Sequence, residues 1–271
     1  MNTHTLKVRL KSLCCAVALT LGASAAVQAD NPQTMVLVHG AHFTAAAWQP
    51  LQQLIGNAVN TVAVDLPGRN DNLVPARVSM ELSAGMLCKS LGAITGQKTL
   101  VAHSQGGAIV NAALELCPTE AIDKIVYVTA VAPLNGTDVF TLLSKADETN
   151  YFKGVSFNEQ AQRLDIANPE RFADSFAQDA TPQQRNWLNA LAVTEPAVVG
   201  GSVISLDPER FAKIDKYYVF ADHDRIISLE SQRRIADSLD LTASYHINSG
   251  HLPMLTQSRA LADVLLTISK R

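Results

Sequence analysis

Ser104 lies in a segment whose residue types suit a nucleophile. Residues 101–107 read VAHSQGG, follow an apolar run and precede a stretch of helix-forming residues. This pattern predicts a sharp turn from a buried strand into a helix, with the serine hydroxyl pointing outward. Ala102, where the usual motif has glycine, and Gly106 are small enough for neighbouring backbone to pass close. A glycine-rich structural turn or a weak phosphate-binding loop fits the same segment, so it leaves catalysis open.

The partners that a nucleophilic serine needs follow it in the chain. An imidazole must accept the serine proton, and a carboxylate must fix the imidazole tautomer. Asp222 and Asp224 both follow a strand-like run, and His251 lies in a loop after the last predicted strand, whereas His246 lies within that strand. The order serine, acid, histidine differs from that of the common serine proteases and is that of α/β-hydrolases.

An oxyanion hole and the remaining histidines complete the predicted site. Two main-chain N–H donors are needed, and we expect them from Gln105, directly after the serine, and from Ala41, after the first strand. His39, His42 and His103 surround this region. We interpret them as supports or pocket lining rather than as bases.

No metal or cofactor is predicted. The pairs His39-x-x-His42 and Asp222-His223-Asp224 contain possible ligands, but no third ligand stands at a matching spacing. The chain has no C-x-x-C pattern. Acyl transfer through a serine needs no cofactor either.

Alternating strands and helices must position these residues. The chain is 47% hydrophobic, enough for a sizeable core. Apolar, β-branched runs predict strands at 34–38, 61–64, 99–101, 125–128, 216–220 and 243–247. Helical spacing between and after them predicts helices at 44–55, 80–91, 108–116, 229–239 and 257–268. The alternation predicts an α/β fold with a mostly parallel sheet, helices on both faces, and ligands beyond the carboxyl ends of the strands.

The alternation breaks at about 132–214, which we interpret as a mainly helical cap inserted over the site. A second independent domain is the alternative, but about 80 residues without a clear sheet make a thin core. Aromatic side chains in this segment could line an apolar acyl or aryl pocket or pack the cap against the core; they are Phe140, Tyr151, Phe152, Phe157, Phe172, Phe176 and Trp187.

Residues 1–29 have the pattern of a secretory signal, which leaves 30–271 as the mature domain. Three basic residues precede an apolar run at 13–26, and small residues end at Ala29. A membrane anchor is the alternative, but the run is short for a span. Cleavage leaves 19 basic and 25 acidic side chains, a formal charge of −6 that disfavours nucleic acid as a partner. We therefore predict a periplasmic or secreted protein without a membrane span after cleavage.

Cys88 and Cys117 remain after cleavage, and we expect both to lie in helices. In an oxidising compartment they could form a disulfide, and two buried free thiols are the alternative. Nothing in the sequence indicates the oligomeric state.

Four motifs together resemble the α/β-hydrolase subfamily of plant methylesterases, hydroxynitrile lyases and related bacterial esterases. They are His39-Gly40-Ala41 with Trp48, the segment 101–107, Asp224-Arg225 with Gln232, and Gly250-His251. The resemblance implies Ser104 as nucleophile, Asp224 as acid and His251 as base. It also implies the Ala41 and Gln105 amides as oxyanion hole, and the spacing to Gln232 selects Asp224 over Asp222.

Three positions separate the two chemistries of that subfamily. The lyases place threonine after the first-strand histidine, glutamate before the serine and lysine after the catalytic histidine. This chain has Gly40, His103 and Leu252 there, as the esterases do. Departing cyanide would lack the support of the lysine charge. We predict a serine hydrolase acting on small to medium hydrophobic carboxylic esters; the alternatives are a hydroxynitrile lyase and a ligand receptor on a hydrolase scaffold.

Overall fold

The computed structural model describes Met1 and residues 33–69 and 73–271. The predicted signal segment 1–29 lies outside the described residues except for Met1. No helix of the described ranges combines the length and apolar character that crossing a bilayer requires.

In the described ranges, nine strands form two sheets. They are β1 (Thr34–Val38), β2 (Asn60–Val64), β3 (Lys98–His103), β4 (Ile122–Val128), β5 (Val155–Asn158), β6 (Arg163–Ile166), β7 (Glu195–Pro196), β8 (Asp215–Ala221) and β9 (Ala243–Ile247). The large sheet has the order β2-β1-β3-β4-β8-β9, and all its strand pairs are parallel. Every residue of β1 and β3 is buried, whereas the edge strand β9 is only partly buried. The burial of the central strands agrees with a sheet covered on both faces, and their middle residues are apolar, as in residues 100–102 of β3.

Eleven α-helices of the described part of the chain connect or follow these strands. They are α1 (Gln49–Ile55), α2 (Met80–Gly92), α3 (Gly106–Leu116), α4 (Lys145–Tyr151), α5 (Pro169–Phe176), α6 (Pro182–Leu191), α7 (Ala197–Gly200), α8 (Pro208–Ala212), α9 (Leu229–Asp237), α10 (Pro253–Thr256) and α11 (Ser258–Ile268). Short 3₁₀ helices lie at Ala45–Trp48, Pro75–Arg77 and Phe140–Leu142. The predicted alternation of strands and helices is confirmed.

The order of the large sheet reverses direction once, between β1 and β3. The chain moves from β1 outward to β2 and then crosses back to β3. Because parallel crossovers are right-handed, this reversal puts α1 on one face and α2 and α3 on the other. Accordingly α2 packs against α3, and α1 packs against α11. The reversal also opens a crevice at the carboxyl ends of β1 and β3, where the predicted oxyanion loop and serine turn lie.

The segment between β4 and β8 contains α4 to α8 and a small antiparallel sheet of β5, β6 and β7. The sequence predicted helical pieces here but no sheet. Strands of two to four residues are too short to show an alternating pattern, so only their pairing reveals them.

A disulfide joins Cys88 of α2 to Cys117, the residue after α3, with a Cα separation of 5.6 Å. The sequence left open whether these thiols pair. The bond closes a loop of 29 residues, and a loop of that length corresponds to about 3.5 kcal/mol of stability in the chain-entropy account.

Candidate active site

Ser104 stands at the tip of the turn between β3 and α3 with a positive φ of 53°. Its carbonyl oxygen accepts hydrogen bonds from the amides of Gly107 and Val131, which hold this strained conformation. A Cβ on Gly106 would lie 2.7 Å from the His39 carbonyl oxygen, so only glycine lets α3 begin so close to β1. Ala102 is fully buried in β3, which accommodates its methyl group.

The structure brings Ser104, His251 and Asp224 into one hydrogen-bonded series. The distance from Ser104 Oγ to His251 Nε2 is 3.0 Å, and that from His251 Nδ1 to Asp224 Oδ2 is 2.7 Å. All three residues are buried. With Nδ1–H donating to the carboxylate, Nε2 is left to accept the proton of the serine hydroxyl.

Asp224 is held by its own turn and by a neighbouring strand end. Its Oδ1 accepts the amides of Ile226 at 2.6 Å and Ile227 at 3.0 Å, and its Oδ2 also accepts the Thr129 hydroxyl. The buried Gln232 side chain bonds both the amide and the carbonyl of Ala221, at the start of the same turn. These bonds fix the direction of the carboxylate and of the turn that carries it.

Asp222 points elsewhere. Its Oδ1 lies 2.6 Å from Nδ1 of His246, and both side chains are partly exposed to solvent. His246 and Asp222 therefore form a surface pair, separate from the buried series.

Two of the other histidines support the site as neutral groups. His103 donates its Nε2–H to the His251 carbonyl oxygen at 2.8 Å, and burial holds the pKa of His103 well below the usual range. The pKa of His39 is lowered to about 3, first by burial and then by the charge of Arg69. His39 Nε2 accepts the Leu66 amide at 3.1 Å. Both rings thus order backbone around the serine without carrying charge.

Ala41 and Gln105 carry the two amides that the sequence predicts as oxyanion-hole donors. Both residues line the same pocket as Ser104. Within the part of the chain that the structure describes, neither amide donates to a protein acceptor. Two free N–H groups beside a serine hydroxyl can stabilise negative charge on a tetrahedral intermediate.

A network behind this loop was missed by the sequence analysis. Glu195 and Arg69 form an ion pair at 2.6 Å whose side chains are both fully buried. Glu195 also accepts the Gln105 side-chain amide and the His42 backbone amide. Tyr151 donates its hydroxyl to His42 Nε2 at 2.7 Å. These residues are far apart in sequence and belong to no local motif, so no sequence pattern indicated that they meet.

The pocket over Ser104 is mainly apolar and holds about 540 Å³ of empty space, counting its open mouth. Its apolar lining includes Val131, Phe140, Leu143, Phe152, Leu164 and Ile227. Tyr151 lines it too, and Glu148 is the one acidic side chain among the lining residues described.

Of the predicted cap aromatics, Phe140, Tyr151 and Phe152 line this pocket. Phe172 and Phe176 are buried and stack on each other with ring centres 4.1 Å apart, so they pack the cap, although Phe176 also contacts the His251 ring edge-on. Phe157 is half exposed. Trp187 packs at the margin of the core.

Asp147 fastens the cap helix α4 to the rest of the domain. Its backbone amide and carboxylate form a capping box with Ser144, and its carboxylate also accepts the Ser228 amide and the Ser231 hydroxyl of α9. Burial alone would raise the pKa of Asp147, but hydrogen bonds from Ser231, Ser144 and Ser228 outweigh it and lower the pKa below 3.8. The helix so anchored carries Glu148 and Tyr151 to the pocket.

The chain is similar in sequence to known hydrolases over most of its length. The sequence model of the Alpha/beta hydrolase family matches residues 35–264. Polyneuridine aldehyde esterase of Rauvolfia serpentina is 26% identical over 270 residues, covering 90% of this chain and 98% of the relative. Methyl jasmonate esterase 1 of Vitis vinifera is 26% identical over 250 residues, covering 86% of this chain and 95% of the relative.

Solved structures share the fold. A pyrethroid hydrolase from Sphingobium faniae JZ-2 superposes with a TM-score of 0.77 at 20% identity, covering 88% of this chain and 97% of the other. Polyneuridine aldehyde esterase superposes with a TM-score of 0.75 at 22% identity, covering 88% and 99%. At these identities the likeness establishes the fold alone.

The Asp147 contacts predict a pH-dependent stability. A carboxyl whose pKa is lowered by folding stabilises the folded state above its usual pKa, and the contribution is lost as the pH falls through the lowered value. We expect Asp147→Asn to reduce the free energy of unfolding by about 1–3 kcal/mol at neutral pH, and the difference from the natural protein to shrink as the pH falls below the usual pKa of aspartate, about 3.9. Urea unfolding at neutral and at acidic pH measures this difference in the free energy of unfolding, and Asp263→Asn, at an exposed position, is the control. A difference of equal size at the two pH values would contradict the stabilising role of the Asp147 carboxylate.

Proposed function

Because the chain belongs to the alpha/beta hydrolase family, we propose that it is a serine hydrolase that cleaves carboxylic esters. The observation that carries the proposal is the series Ser104, His251 and Asp224, with distances of 3.0 and 2.7 Å, opening onto an apolar pocket. The esterases of Rauvolfia serpentina and Vitis vinifera, similar over most of their length, support the same reaction class.

The proposed reaction proceeds through an acyl-enzyme. Ser104 Oγ attacks the ester carbonyl carbon while its proton passes to His251 Nε2, and the Asp224 carboxylate stabilises the resulting imidazolium. The negative carbonyl oxygen accepts hydrogen bonds from the Ala41 and Gln105 amides. The tetrahedral intermediate collapses, the alcohol leaves with the proton from His251, and water activated by the same histidine releases the acid.

Ser104→Ala tests the proposal. We expect it to lower turnover of p-nitrophenyl acetate by at least about 10⁴-fold, because the residual pocket has no nucleophile, while the fold is retained. Ser90→Ala is the matched control, since the Ser90 hydroxyl bonds only a carbonyl of its own helix α2. Turnover by Ser104→Ala at the rate of the control would refute the assignment. A stoichiometric burst without turnover by the natural protein would favour a receptor instead.

The lining of the pocket supports a neutral, small to medium hydrophobic substrate. Its walls are mostly apolar, which favours burial of an alkyl or aryl group. Glu148, whose side chain is 35% exposed, lines the pocket, and its carboxylate is paired only with the solvent-exposed Lys145 at 3.0 Å among the described residues. A substrate carrying its own carboxylate would lose hydration in the pocket and meet a like charge.

A pair of esters with equal acyl length tests this substrate class. We expect the protein to prefer p-nitrophenyl butyrate to the anionic p-nitrophenyl hemisuccinate. In Glu148→Gln the kcat/KM ratio between them should fall about fivefold, because a like-charge contact near a surface is worth about 1 kcal/mol. The exposed Glu159→Gln should leave the ratio unchanged. Equal kcat/KM for the two esters in the natural protein would contradict a neutral substrate class.

We also infer that the protein is exported to the periplasm or secreted. The pattern of basic, apolar and small residues within 1–29 supports this inference. The Cys88–Cys117 disulfide adds support, since such bonds persist mainly in oxidising compartments.

Expression of the full chain in a bacterial host with both a cytoplasm and a periplasm tests export. We expect the exported protein to begin at Asp30 by N-terminal sequencing and, when denatured without reductant, to show no reactive thiol. Substituting Lys7, Arg9 and Lys11 with glutamate should trap the precursor in the cytoplasm, because the signal loses its basic region. An uncleaved chain in the membrane fraction would instead support an N-terminal anchor.

A further inference from the structure

Glu195 makes four hydrogen bonds in the interior, and two of them go to the loops of the proposed oxyanion hole. Its Oε1 accepts hydrogen bonds from Arg69 Nη2 at 2.6 Å and from Gln105 Nε2 at 2.9 Å. Its Oε2 accepts Arg69 Nε at 2.9 Å and the His42 backbone amide at 3.0 Å. The carboxylate is fully satisfied, and its side chain is completely excluded from solvent.

Two partners of this carboxylate, the Gln105 side-chain amide and the His42 backbone amide, belong to or adjoin the residues of the two proposed donors. Gln105 supplies one donor through its own amide, and His42 directly follows Ala41, which supplies the other. A single carboxylate thus ties the loop after β1 to the turn after β3. The distance between the donors depends on both loops, and oxyanion stabilisation requires donors preset at that distance.

The loop after β1 needs such support because His42 has a positive φ of 66°, which is unfavourable for a residue with a side chain. The His42 carbonyl accepts the Val193 amide at 2.9 Å, and its Nδ1 donates to the Val193 carbonyl at 2.9 Å. Tyr151 bonds its remaining ring nitrogen. Val193, Glu195 and Tyr151 all belong to the cap segment, so the cap holds this loop in its strained form.

Glu195 reaches the site from the cap sheet. It belongs to β7 and pairs with Leu164 of β6, and Leu164 also lines the substrate pocket. Arg69, in contrast, follows β2, and its Nη1 donates a hydrogen bond to the Pro67 carbonyl oxygen. The ends of three core strands and one cap strand therefore meet at this ion pair.

The positive charge of Arg69 offsets the negative charge of Glu195 next to the proposed oxyanion hole. A lone buried carboxylate next to the developing oxyanion would oppose the negative charge there, and it would be costly to bury. Arg69 neutralises it through two parallel hydrogen bonds. The pair can then position backbone without placing net negative charge beside the transition state.

We propose that Glu195 and Arg69 are positioning residues that hold both amides of the oxyanion hole and couple that hole to the cap. The inference rests on the proposed ester hydrolysis at Ser104. Neither residue touches the substrate pocket's reacting serine directly, so their effect is exerted through Gln105 and His42.

Glu195→Gln tests the proposal, because an amide of the same size cannot accept all four donors. We expect kcat for p-nitrophenyl butyrate to fall about 30-fold to 100-fold with KM changed less than about threefold, since the lost interaction acts in the transition state. The affinity of an alkyl trifluoromethyl ketone, which forms a tetrahedral adduct with serine, should fall by a similar factor. Binding of the corresponding alkyl methyl ether, which has no carbonyl group, should not change.

The chain offers a matched control in the Lys98–Glu120 ion pair. It has a nitrogen-to-oxygen distance of 2.9 Å, its side chains are 4% and 19% exposed, and it lies at the amino end of β3, away from Ser104. Glu120→Gln should lower the unfolding midpoint in urea while leaving kcat and inhibitor affinity unchanged. The kcat and inhibitor affinity of Glu195→Gln and Glu120→Gln are measured without urea, where the unfolding curves show that both variants are folded.

Loss of stability in Glu195→Gln with kcat and ketone affinity intact would overturn the inference and leave the pair a structural one. If Glu195→Gln does not fold, Gln105→Met removes only the side-chain contact and keeps the Gln105 backbone amide. We expect about a tenfold loss of kcat at constant KM, and an unchanged kcat would again overturn it. Failure of the proposed function is separate, because it appears as undiminished turnover by Ser104→Ala.

Discussion

The close approach of α3 to the end of β1 is the constraint on which the site depends. The sheet order reverses between β1 and β3, so the two strand ends border one crevice. Gly106 lets the helix begin against the Val38 and His39 carbonyls, where a Cβ would lie within 2.8 Å of either oxygen. This contact brings the Ser104 turn beside the loop that carries Ala41. A bulkier residue at position 106 would push α3 away from β1, and the Ser104 turn would then move away from the loop that carries Ala41.

Around that contact the site combines carboxylates held by hydrogen bonds, those of Asp224 and of the Glu195–Arg69 pair, with two histidines that burial keeps neutral. Asp224 accepts two backbone amides and the Thr129 hydroxyl, which orient it towards His251. His39 and His103 are kept uncharged by burial and order the backbone. Charge in the described site is thereby limited to groups with a fixed partner, and this suits a reaction in which new charge develops on His251 and on the substrate oxygen.

The cap contributes more than the walls of a pocket. Asp147 anchors α4 to the start of α9, close in sequence to the Asp224 turn. Glu195 extends from β7 to the loop after β1 and to the Ser104 turn. Two buried carboxylates thus fasten the cap at opposite sides of the pocket, one near the acid and one near the proposed oxyanion hole. Substitutions in the cap can therefore alter the reaction without touching the substrate.

The sequence by itself determined the alternating strands and helices, the Ser104 turn and the order of Ser104, Asp224 and His251, because these follow from local periodicity and short motifs. It also limited the cysteines to Cys88 and Cys117 but could not say whether they pair. Tertiary structure alone decided that pairing, the short sheet β5 to β7, and the partnership of Arg69 with Glu195, residues separated by 126 positions. Contacts between distant segments leave no periodic trace in either one, since each residue's role depends on a partner that only folding brings near.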